Sequence, residues 1–371
     1  MRLQSKEKTM ENNPNTNSRK KSADSIDQRG FTLVELIIAM VVFLIVTGSI
    51  YGMLQVAQRS RSIVNQQTQL NKNVRLALNL LGRDTYNAGF GYPLKSSVIL
   101  PNNRIAPLLN IPNDTDATRD TLPPIIAGNN ITLNTFTSAT GGALTDQVTF
   151  LYKDPSFNLT GEVGKEVSQS LNINAATTTS GIDEIVPVSG SNAVCRVNDI
   201  YLITGNTGST IGLATGLNGA DKVQFANADV LGFNQTGAGN PLRSITTPAT
   251  ILRVKMMTYY VSADGTLMRR EYANAPVADP PVAFVDEPLV YGVENFQIQY
   301  VMDDGSISNN PSAGPNGIPG DADDIQSELE AIRQIRFTIT VATTDVNQLG
   351  QRHRISMTST FSTRNLGYDA S

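Results

Sequence analysis

The sequence contains no tryptophan, one cysteine and one histidine. Cys195 cannot form a disulfide within the chain, and one cysteine with one histidine cannot complete a Cys/His zinc site. A Ser-His-Asp or Cys-His catalytic site would have to use His353, which lies between two arginines in the string QRHR. Such a histidine is typical of the solvated end of a strand, so the sequence predicts no catalytic residue of either class.

Charged residues are also scarce, at 17% of the 371 residues, and Asn, Thr, Ser and Gly make up the balance. This composition is typical of β-rich, loop-rich extracellular domains, and the length predicts one or two domains. The formal net charge of −4 gives nucleic-acid binding no electrostatic support, so we expect no nucleic-acid partner. The sequence has no Gly-rich phosphate loop, paired acid/base motif or nucleophile elbow, and therefore predicts a protein that is not an enzyme.

The first 30 residues are polar and carry seven basic and four acidic side chains, a net charge of +3. That charge favours retention on the cytoplasmic side of a membrane. Phe31–Gln58 then contains a single charged residue, Glu35, and Phe31–Leu54 covers 24 residues. A helix of that length is about 36 Å long, which is enough to cross a bilayer. The sequence thus predicts a transmembrane helix over about residues 31–54.

Glu35 is the unusual feature of this apolar segment, because a charge within hydrocarbon costs about 2.5–3.5 kcal/mol or more. An ordinary signal peptide would have a shorter, uncharged apolar region and a better cleavage site than TGS at 47–49. A plain signal anchor leaves Glu35 unexplained, and the polar leader disfavours a buried core helix of a soluble protein. If the chain were cut between Gly30 and Phe31, the new α-amine could neutralise the Glu35 carboxylate of a neighbouring copy.

The stretch RGFTLVE at 29–35 resembles the type IV prepilin cleavage and methylation motif. Its parts occur in the same order: a basic residue, Gly, Phe, Thr, two aliphatic residues and Glu. The resemblance implies cleavage after Gly30 by an inner-membrane aspartyl prepilin peptidase and N-methylation of the new terminus, Phe31. It also implies that Glu35 is the glutamate required for assembly. The leader of 30 residues is longer than most in this family.

A helical pattern continues beyond the apolar segment to about residue 87. Apolar residues recur at three-to-four spacing from Val56 to Leu81, which predicts an amphipathic second half of the same helix. The two glycines and the proline of 89–93 predict its end. Segment 83–92 resembles the turn that follows the helix in PilW-type minor pilins, and an ordinary glycine-capped helix end is the alternative interpretation.

The rest of the chain is predicted to be rich in strands. Residues 94–145 are rich in Asn, Thr, Pro and Gly and predict long loops with short strands. Strand patterns then occur at Gln147–Lys153 (where apolar and polar residues alternate), Asp199–Gly205, Val223–Phe225, Ile251–Tyr272 (a hairpin turning at Asp264 and Gly265), Val290–Val301, Ile332–Val341 and Arg354–Ser362. One-sided alternation in the last three predicts an antiparallel sheet covered by the amphipathic half of the helix.

Four segments of this region resemble the PilW family of minor pilins and, more distantly, the J-type pseudopilin of type II secretion. They are TYY…DGTLMRR at 258–270, VYGVENFQIQYVMDDG at 290–305, AIRQIRFTITV at 331–341 and FSTRNL at 361–366. The resemblance implies an α+β, type IV pilin-like fold. In that fold a long N-terminal helix, transmembrane in its first half and amphipathic in its second, packs on an antiparallel β-sheet head. The expected domains are a removed leader at 1–30, the helix at 31–92 and a periplasmic or extracellular head at 93–371.

Four aspartates flank one long Gly/Pro-rich loop: Asp303, Asp304, Asp321 and Asp323. Clustered carboxylates in a flexible loop offer the hard oxygen ligands that Ca²⁺ accepts, although the EF-hand spacing is absent. Simple solvated turns are the alternative. Apart from this calcium hypothesis, the sequence predicts no cofactor.

Together these resemblances imply a minor pilin, a non-enzymatic structural subunit that takes part in type IV pilus assembly and primes it. The expected partners are the prepilin peptidase, other minor pilins, the major pilin and the inner-membrane assembly platform. The expected location is first the inner membrane, crossed once with the N-terminus in the cytoplasm, and then the pilus at the cell surface.

Two other interpretations remain at this point. The first is a pseudopilin of a type II secretion system, although J-type pseudopilins are usually much shorter than this chain. The second is a membrane-anchored binding module or enzyme.

Overall fold

The computed structural model describes residues 30–93, 98–101, 104, 121–136, 142–155, 171–179, 182–187, 195–219, 222–227, 229–234, 241–245, 249–273, 282–311, 331–346 and 352–366. The chain divides into two compact units, Met1–Ser60 and Arg61–Ser371. One helix, α1, spans Leu33–Asn87, and one short 3₁₀ turn spans Pro241–Ser244. The strands are β1 Val98–Ile99, β2 Thr121–Leu122, β3 Ile125–Asn134, β4 Ala143–Lys153, β5 Leu171–Thr179, β6 Ile182–Pro187, β7 Ile200–Gly205, β8 Gly208–Leu213, β9 Gly216–Asn218, β10 Lys222–Phe225, β11 Ala249–Val261, β12 Leu267–Tyr272, β13 Phe284–Val290, β14 Val293–Met302, β15 Ile307–Ser308, β16 Ile332–Val346 and β17 Arg352–Ser362.

In the first unit, the described residues after Thr32 belong to the N-terminal part of α1. Its apolar side chains are exposed on every side, and an 18-residue window reaches a mean hydropathy of 2.6 with none of it buried inside the protein. This part of the helix is long and apolar enough to cross a membrane. A helix that is apolar all round needs an apolar environment, and a bilayer provides one.

The second unit contains two sheets that are almost entirely antiparallel. The small sheet has four strands in the order β15-β14-β16-β17. In the large sheet the long strand β11 is the centre: its first half pairs with β7 and β5, and its second half pairs with β4 and β12. The pairing of β1 with β8 is parallel. With the long N-terminal helix, these sheets form the predicted α+β, type IV pilin-like fold.

The predicted hairpin at Asp264 and Gly265 is confirmed. β11 and β12 pair antiparallel around this turn, with Val261 opposite Leu267. Gly265 has a φ of +80°, and a Cβ there would lie 2.5 Å from the Cβ of Phe136. The position therefore needs glycine both for its backbone conformation and for the close approach of a neighbouring side chain.

The predicted cover for the small sheet is also confirmed. The buried face of α1 packs in one apolar core with the inner faces of β14 and β16. Its main members are Val74, Ala77, Leu78 and Leu81 from the helix, Phe296, Ile298 and Tyr300 from β14, and Ile335, Phe337 and Ile339 from β16. The opposite face of this sheet is polar, since Thr338 shares a hydrogen bond with Thr358 and Thr340 donates one to Ser356. The alternation of apolar and polar residues in the strands of the small sheet therefore correctly predicts which face is buried and which is exposed to solvent.

Three strand predictions need correction. β4 was expected to alternate, but it is buried on both faces, because Phe150 faces the core under α1 while Leu151 faces a second core. Val290–Val301 was expected to be one strand, but the chain turns at Gly292, whose φ is +75°. As a result, β13 belongs to the large sheet and β14 to the small one. Residues 94–145 were expected to hold only short strands, yet β3 has ten residues because it pairs with β4.

Two buried polar side chains connect the sheets to each other. Asp146 of β4 accepts a hydrogen bond from the backbone N–H of Ile298 in β14 at 2.7 Å, and another from Asn130 at 2.8 Å. Asn134 of β3 donates to the carbonyl of Val293 at 2.7 Å. Burial raises the pKa of Asp146, with the two backbone N–H groups opposing that shift.

A buried carboxylate fixes the end of α1 to the large sheet. Asp84 is fully buried and accepts hydrogen bonds from the hydroxyls of Tyr259 at 2.6 Å and Tyr152 at 3.2 Å. Arg269 supplies the balancing charge, with its Nε 3.3 Å from Asp84 Oδ2. Burial, reinforced by the nearby Asp84 charge, raises the pKa of both tyrosines. These phenols therefore remain protonated and can donate to the carboxylate.

We predict that Asp84→Asn destabilises the second unit by about 2–4 kcal/mol, because it removes the buried counter-charge of Arg269 and leaves only the exposed Glu287 at 3.5 Å. The measurement is thermal or denaturant unfolding of the full chain in detergent, followed by the circular dichroism of the sheets. Asp303→Asn is the matched control. The Asp303 side chain is half exposed, and its ion pair with Arg333 is long, at 3.7 Å, so its loss should cost little. A loss for Asp84→Asn that is no larger than the control would contradict this role.

A second prediction concerns Gly82, where α1 meets β17. The Phe361 ring lies directly over this glycine, so that a Cβ would overlap the ring. We expect Gly82→Ala to destabilise the fold by about 1–3 kcal/mol despite the better helix propensity of alanine. Adding Phe361→Ala should recover part of that loss, and Asn79→Ala on the exposed side of α1 should be nearly neutral. Equal stability of Gly82→Ala and the natural chain would disprove the tight packing.

Candidate N-terminal processing and assembly site

The residues predicted for cleavage and assembly lie at the start of α1. Gly30 and Phe31 precede the helix, Thr32 is the residue before its first turn, and Glu35 lies in that turn. Phe31 is 88% exposed, and among the described residues nothing beyond the chain neighbours of Gly30 lies within 4 Å of the position that a Cβ on Gly30 would take. The bond between Gly30 and Phe31 is therefore open to an enzyme that approaches from outside the chain.

Thr32 and Glu35 form a capping box. The backbone N–H of Glu35 donates to Thr32 Oγ1 at 3.3 Å, and the backbone N–H of Thr32 donates to Glu35 Oε2 at 3.1 Å. The Thr32 hydroxyl also donates to Glu35 Oε2 at 3.1 Å. This reciprocal arrangement satisfies two backbone donors that a helix start otherwise leaves free. It also places a negative charge at the positive end of the helix dipole.

This cap gives Glu35 hydrogen-bond partners in the uncut chain, a role that its interpretation as a membrane charge does not predict. The signal was present, because T-x-x-E directly before an apolar run is the sequence signature of a capping box. Chemically, the cap holds the carboxylate beside Thr32, one residue from the amine that cleavage at Gly30 would create. The same side chain can thus start the helix before a cut and meet a positive charge after it.

Residues 26–51 match a family model described as the prokaryotic N-terminal methylation motif. This match supports a type IV pilin-like protein. No curated protein matches the sequence. The matched segment contains Gly30, Phe31 and Glu35 and extends into the membrane-competent part of α1. The motif and the apolar helix together fit a membrane-anchored protein of the pilin or pseudopilin type.

His353 and Cys195, the two residues on which a Ser-His-Asp or Cys-His site would depend, lie at an exposed strand position and in a buried core, respectively. His353 is exposed on the edge strand β17, where its backbone N–H donates to Thr343 Oγ1 at 3.1 Å. Cys195 is a buried free thiol, and burial raises its pKa to about 11. A thiol with that pKa is almost entirely protonated at neutral pH and is a poor nucleophile.

The calcium hypothesis concerns four aspartates, of which the structure describes two. Asp303 lies near Arg333, and Asp304 accepts a hydrogen bond from the backbone N–H of Ser306 at 2.8 Å in a tight turn. A hydrogen bond from the Ser306 side chain, together with this backbone bond, lowers the pKa of Asp304. Asp321 and Asp323 lie outside the described residues. Within the described part of the chain, no three His, Cys, Asp or Glu side chains form a group that could hold a metal ion.

The capping box yields a prediction that is independent of any partner. Thr32→Val keeps the shape of the side chain but removes the hydroxyl, so the first turn of α1 should lose about 0.5–2 kcal/mol. Hydrogen exchange of the full chain in detergent should show faster exchange at the Glu35 amide. Ser49→Ala is the control, because the Ser49 hydroxyl bonds to a carbonyl inside the helix and caps nothing. Unchanged protection of Glu35 in Thr32→Val would show that the cap does not form in solution.

Proposed function

We propose that this chain is a minor type IV pilin of the PilW kind, a non-enzymatic structural subunit that takes part in pilus assembly and primes it. The single observation that carries the proposal is the position of the methylation motif. It lies directly at the start of a helix that is apolar all round at first and then packs one face on antiparallel sheets. Proteins that share this motif and architecture are structural subunits rather than enzymes.

The proposed sequence of events follows from the chemistry of residues 1–35. The basic leader stays in the cytoplasm while α1 enters the inner membrane. Prepilin peptidase then cuts between Gly30 and Phe31, and the new amine of Phe31 is methylated. In the assembled filament, the Glu35 carboxylate pairs with the N-terminal amine of a neighbouring subunit, which lowers the cost of both charges in an apolar core.

The size of the head supports a minor rather than a close-packed repeating subunit. The second unit extends from Arg61 to Ser371 and contains both sheets. Such a head suits a subunit at or near the pilus tip, next to other minor pilins and above the major pilin. The inner-membrane assembly platform would receive the cleaved chain. The same size argues against a J-type pseudopilin of type II secretion.

The direct test is the mass of the mature N-terminus. Full-length chain produced with prepilin peptidase should begin at an N-methylated Phe31, and chain produced without the peptidase should keep its leader. Gly30→Val should also keep the leader, because it puts a branched side chain where the peptidase is expected to need a small residue. A mature chain that starts at any other residue would reject the proposal.

A second test separates the two roles of Glu35. Glu35→Gln keeps a side-chain oxygen for the capping box but removes the charge, Glu35→Ala removes both, and Thr32→Val removes the cap while keeping the charge. We expect all three variants to enter the membrane. Both Glu35 variants should be reduced about tenfold or more in sheared filaments, because each leaves the N-terminal amine of the neighbouring subunit without a counter-charge. Thr32→Val should be reduced far less. Normal incorporation of Glu35→Gln would show that its charge has no part in assembly.

A further inference from the structure

One long strand at the edge of the small sheet has an unpaired side. β17 spans Arg352–Ser362, and within the described part of the chain it pairs only with β16. The N–H and C=O groups along such an edge are a template on which another strand can pair. β17 contains no proline, and its register with β16 is unbroken from Arg354 to Ser362. This stretch thus lacks both a proline and a bulge, either of which would hinder further pairing.

The other described edge strands are protected. β2, β9 and β15 have only two, three and two residues. β13 contains Pro288 together with Asp286 and Glu287, and β3 has a register shift between Gly128 and Thr132. Short length, proline, charge and bulges are the usual means by which proteins prevent pairing at a sheet edge. β17 is the exception, which indicates that its edge has a use.

The pairing with β16 shows which backbone groups of β17 point outward. Directly after the strand, the backbone N–H of Thr363 donates to the carbonyl of Arg333 in β16 at 3.0 Å. In an antiparallel pair, residues that bond to the partner strand alternate with residues whose N–H and C=O point away from it. Every second residue before Thr363 therefore bonds to β16, and the residues between them face the unpaired side. We call these residues the open edge, and no described residue bonds to their outward backbone groups: Arg354, Ser356, Thr358, Thr360 and Ser362.

The inner face of β17 is also incompletely covered. Ile355, Met357 and Phe361 pack against the core beneath α1 but are only partly buried. Val341 and Ile339, which lie opposite Ile355 and Met357 in β16, are fully buried. A further strand beside β17 would cover the apolar surface that remains exposed, and its burial would favour pairing.

Charge indicates the kind of strand that fits. The sequence from Arg352 to Leu366 contains three arginines and one histidine but no acidic residue. Arg354 pairs with Glu294. Arg352 and Arg364 lie over aromatic rings and have no carboxylate partner among the described residues. Two copies paired through this segment would bring only cations together, whereas a strand with Asp or Glu would complement them.

We propose that the open edge of β17 pairs with an extended, acidic strand of a different filament subunit. The partner strand continues the small sheet, covers the inner row of β17 and places a carboxylate near Arg364. Backbone hydrogen bonds would give this contact its affinity, and the alternate side chains its specificity. The inference rests on the proposed function, because it assumes that the chain meets other subunits in a pilus.

The test uses the full chain in cells that assemble its filaments. The photo-reactive residue benzoylphenylalanine replaces Thr360, which is exposed on the solvent face of β17 and within reach of side chains on an adjacent strand. Irradiation should join the chain to one other filament subunit. Mass spectrometry should place the attachment in a segment of that subunit where apolar and polar residues alternate and Asp or Glu is present.

Thr358→Pro tests the backbone pairing. The N–H of Thr358 points to the unpaired side, so proline removes one donor of the open edge and leaves the bonds to β16 in place. We expect this variant to lower the crosslinked product about fivefold or more. Thr358→Val is the matched control, because it loses the same hydroxyl but keeps the N–H, and it should keep the product. Circular dichroism of the purified variants should show an intact sheet.

Arg364→Glu tests the charge without changing the strand itself, so it remains informative if the proline variant fails to fold. It should lower the product about threefold or more, and Arg364→Lys should keep it. The inference is overturned if no product forms, or if the attachment lies within this chain or in a second copy of it. A product that survives Arg364→Glu or a folded Thr358→Pro, or that is lost equally in Thr358→Val, also overturns it.

Leader removal and recovery in sheared filaments are measured on the same samples. A mature, incorporated chain without the crosslink would reject the strand pairing and keep the proposed function. The expected crosslink in a chain that retains its leader would reject the proposed function and keep the strand pairing.

Discussion

Burial of one face of α1 against the sheets is the interaction on which the second unit depends. The small sheet has a continuous apolar inner face, and each large side chain left in water there would cost about 1.5–3 kcal/mol. Val74, Leu78 and Leu81 cover that face, and Gly82 lets the helix approach Phe361. The Asp84 network then fixes the end of the helix, since its tyrosine and arginine partners come from three strands of the large sheet. The helix is thus an integral part of the head as well as a membrane-competent segment.

The same helix satisfies a second constraint at its other end. Glu35 lies at the edge of an apolar segment, where an unpaired charge is costly. In the chain described here the carboxylate accepts two hydrogen bonds from Thr32, so it is held in place before any cut. The proposed cleavage would replace a neutral peptide bond next to Thr32 by a positive amine. One carboxylate can therefore serve two stages of the proposed life of the chain, first as a cap and then as a counter-charge.

Local patterns predicted the features that depend on neighbouring residues. Asp264 and Gly265 predicted their hairpin, and strict alternation predicted which sides of β14, β16 and β17 face the core. Patterns failed where distant parts of the chain decide the outcome. β4 is buried on both faces only because two cores lie on its two sides, which its own residues cannot show. Asp84 and Tyr259 are 175 residues apart, so their hydrogen bond has no local signature. The cap at Thr32 does have a local signature, T-x-x-E before an apolar run, although it was not among the sequence predictions.

The central claim is that this chain leaves the membrane as part of a filament. The most direct measurement is its distribution between membranes and sheared surface filaments, with an epitope on the head and in matched strains with and without prepilin peptidase. The account predicts that the head is found with the filaments only when the peptidase is present. A chain that stays wholly in the inner membrane of the strain with the peptidase, while filaments form normally there, would contradict it.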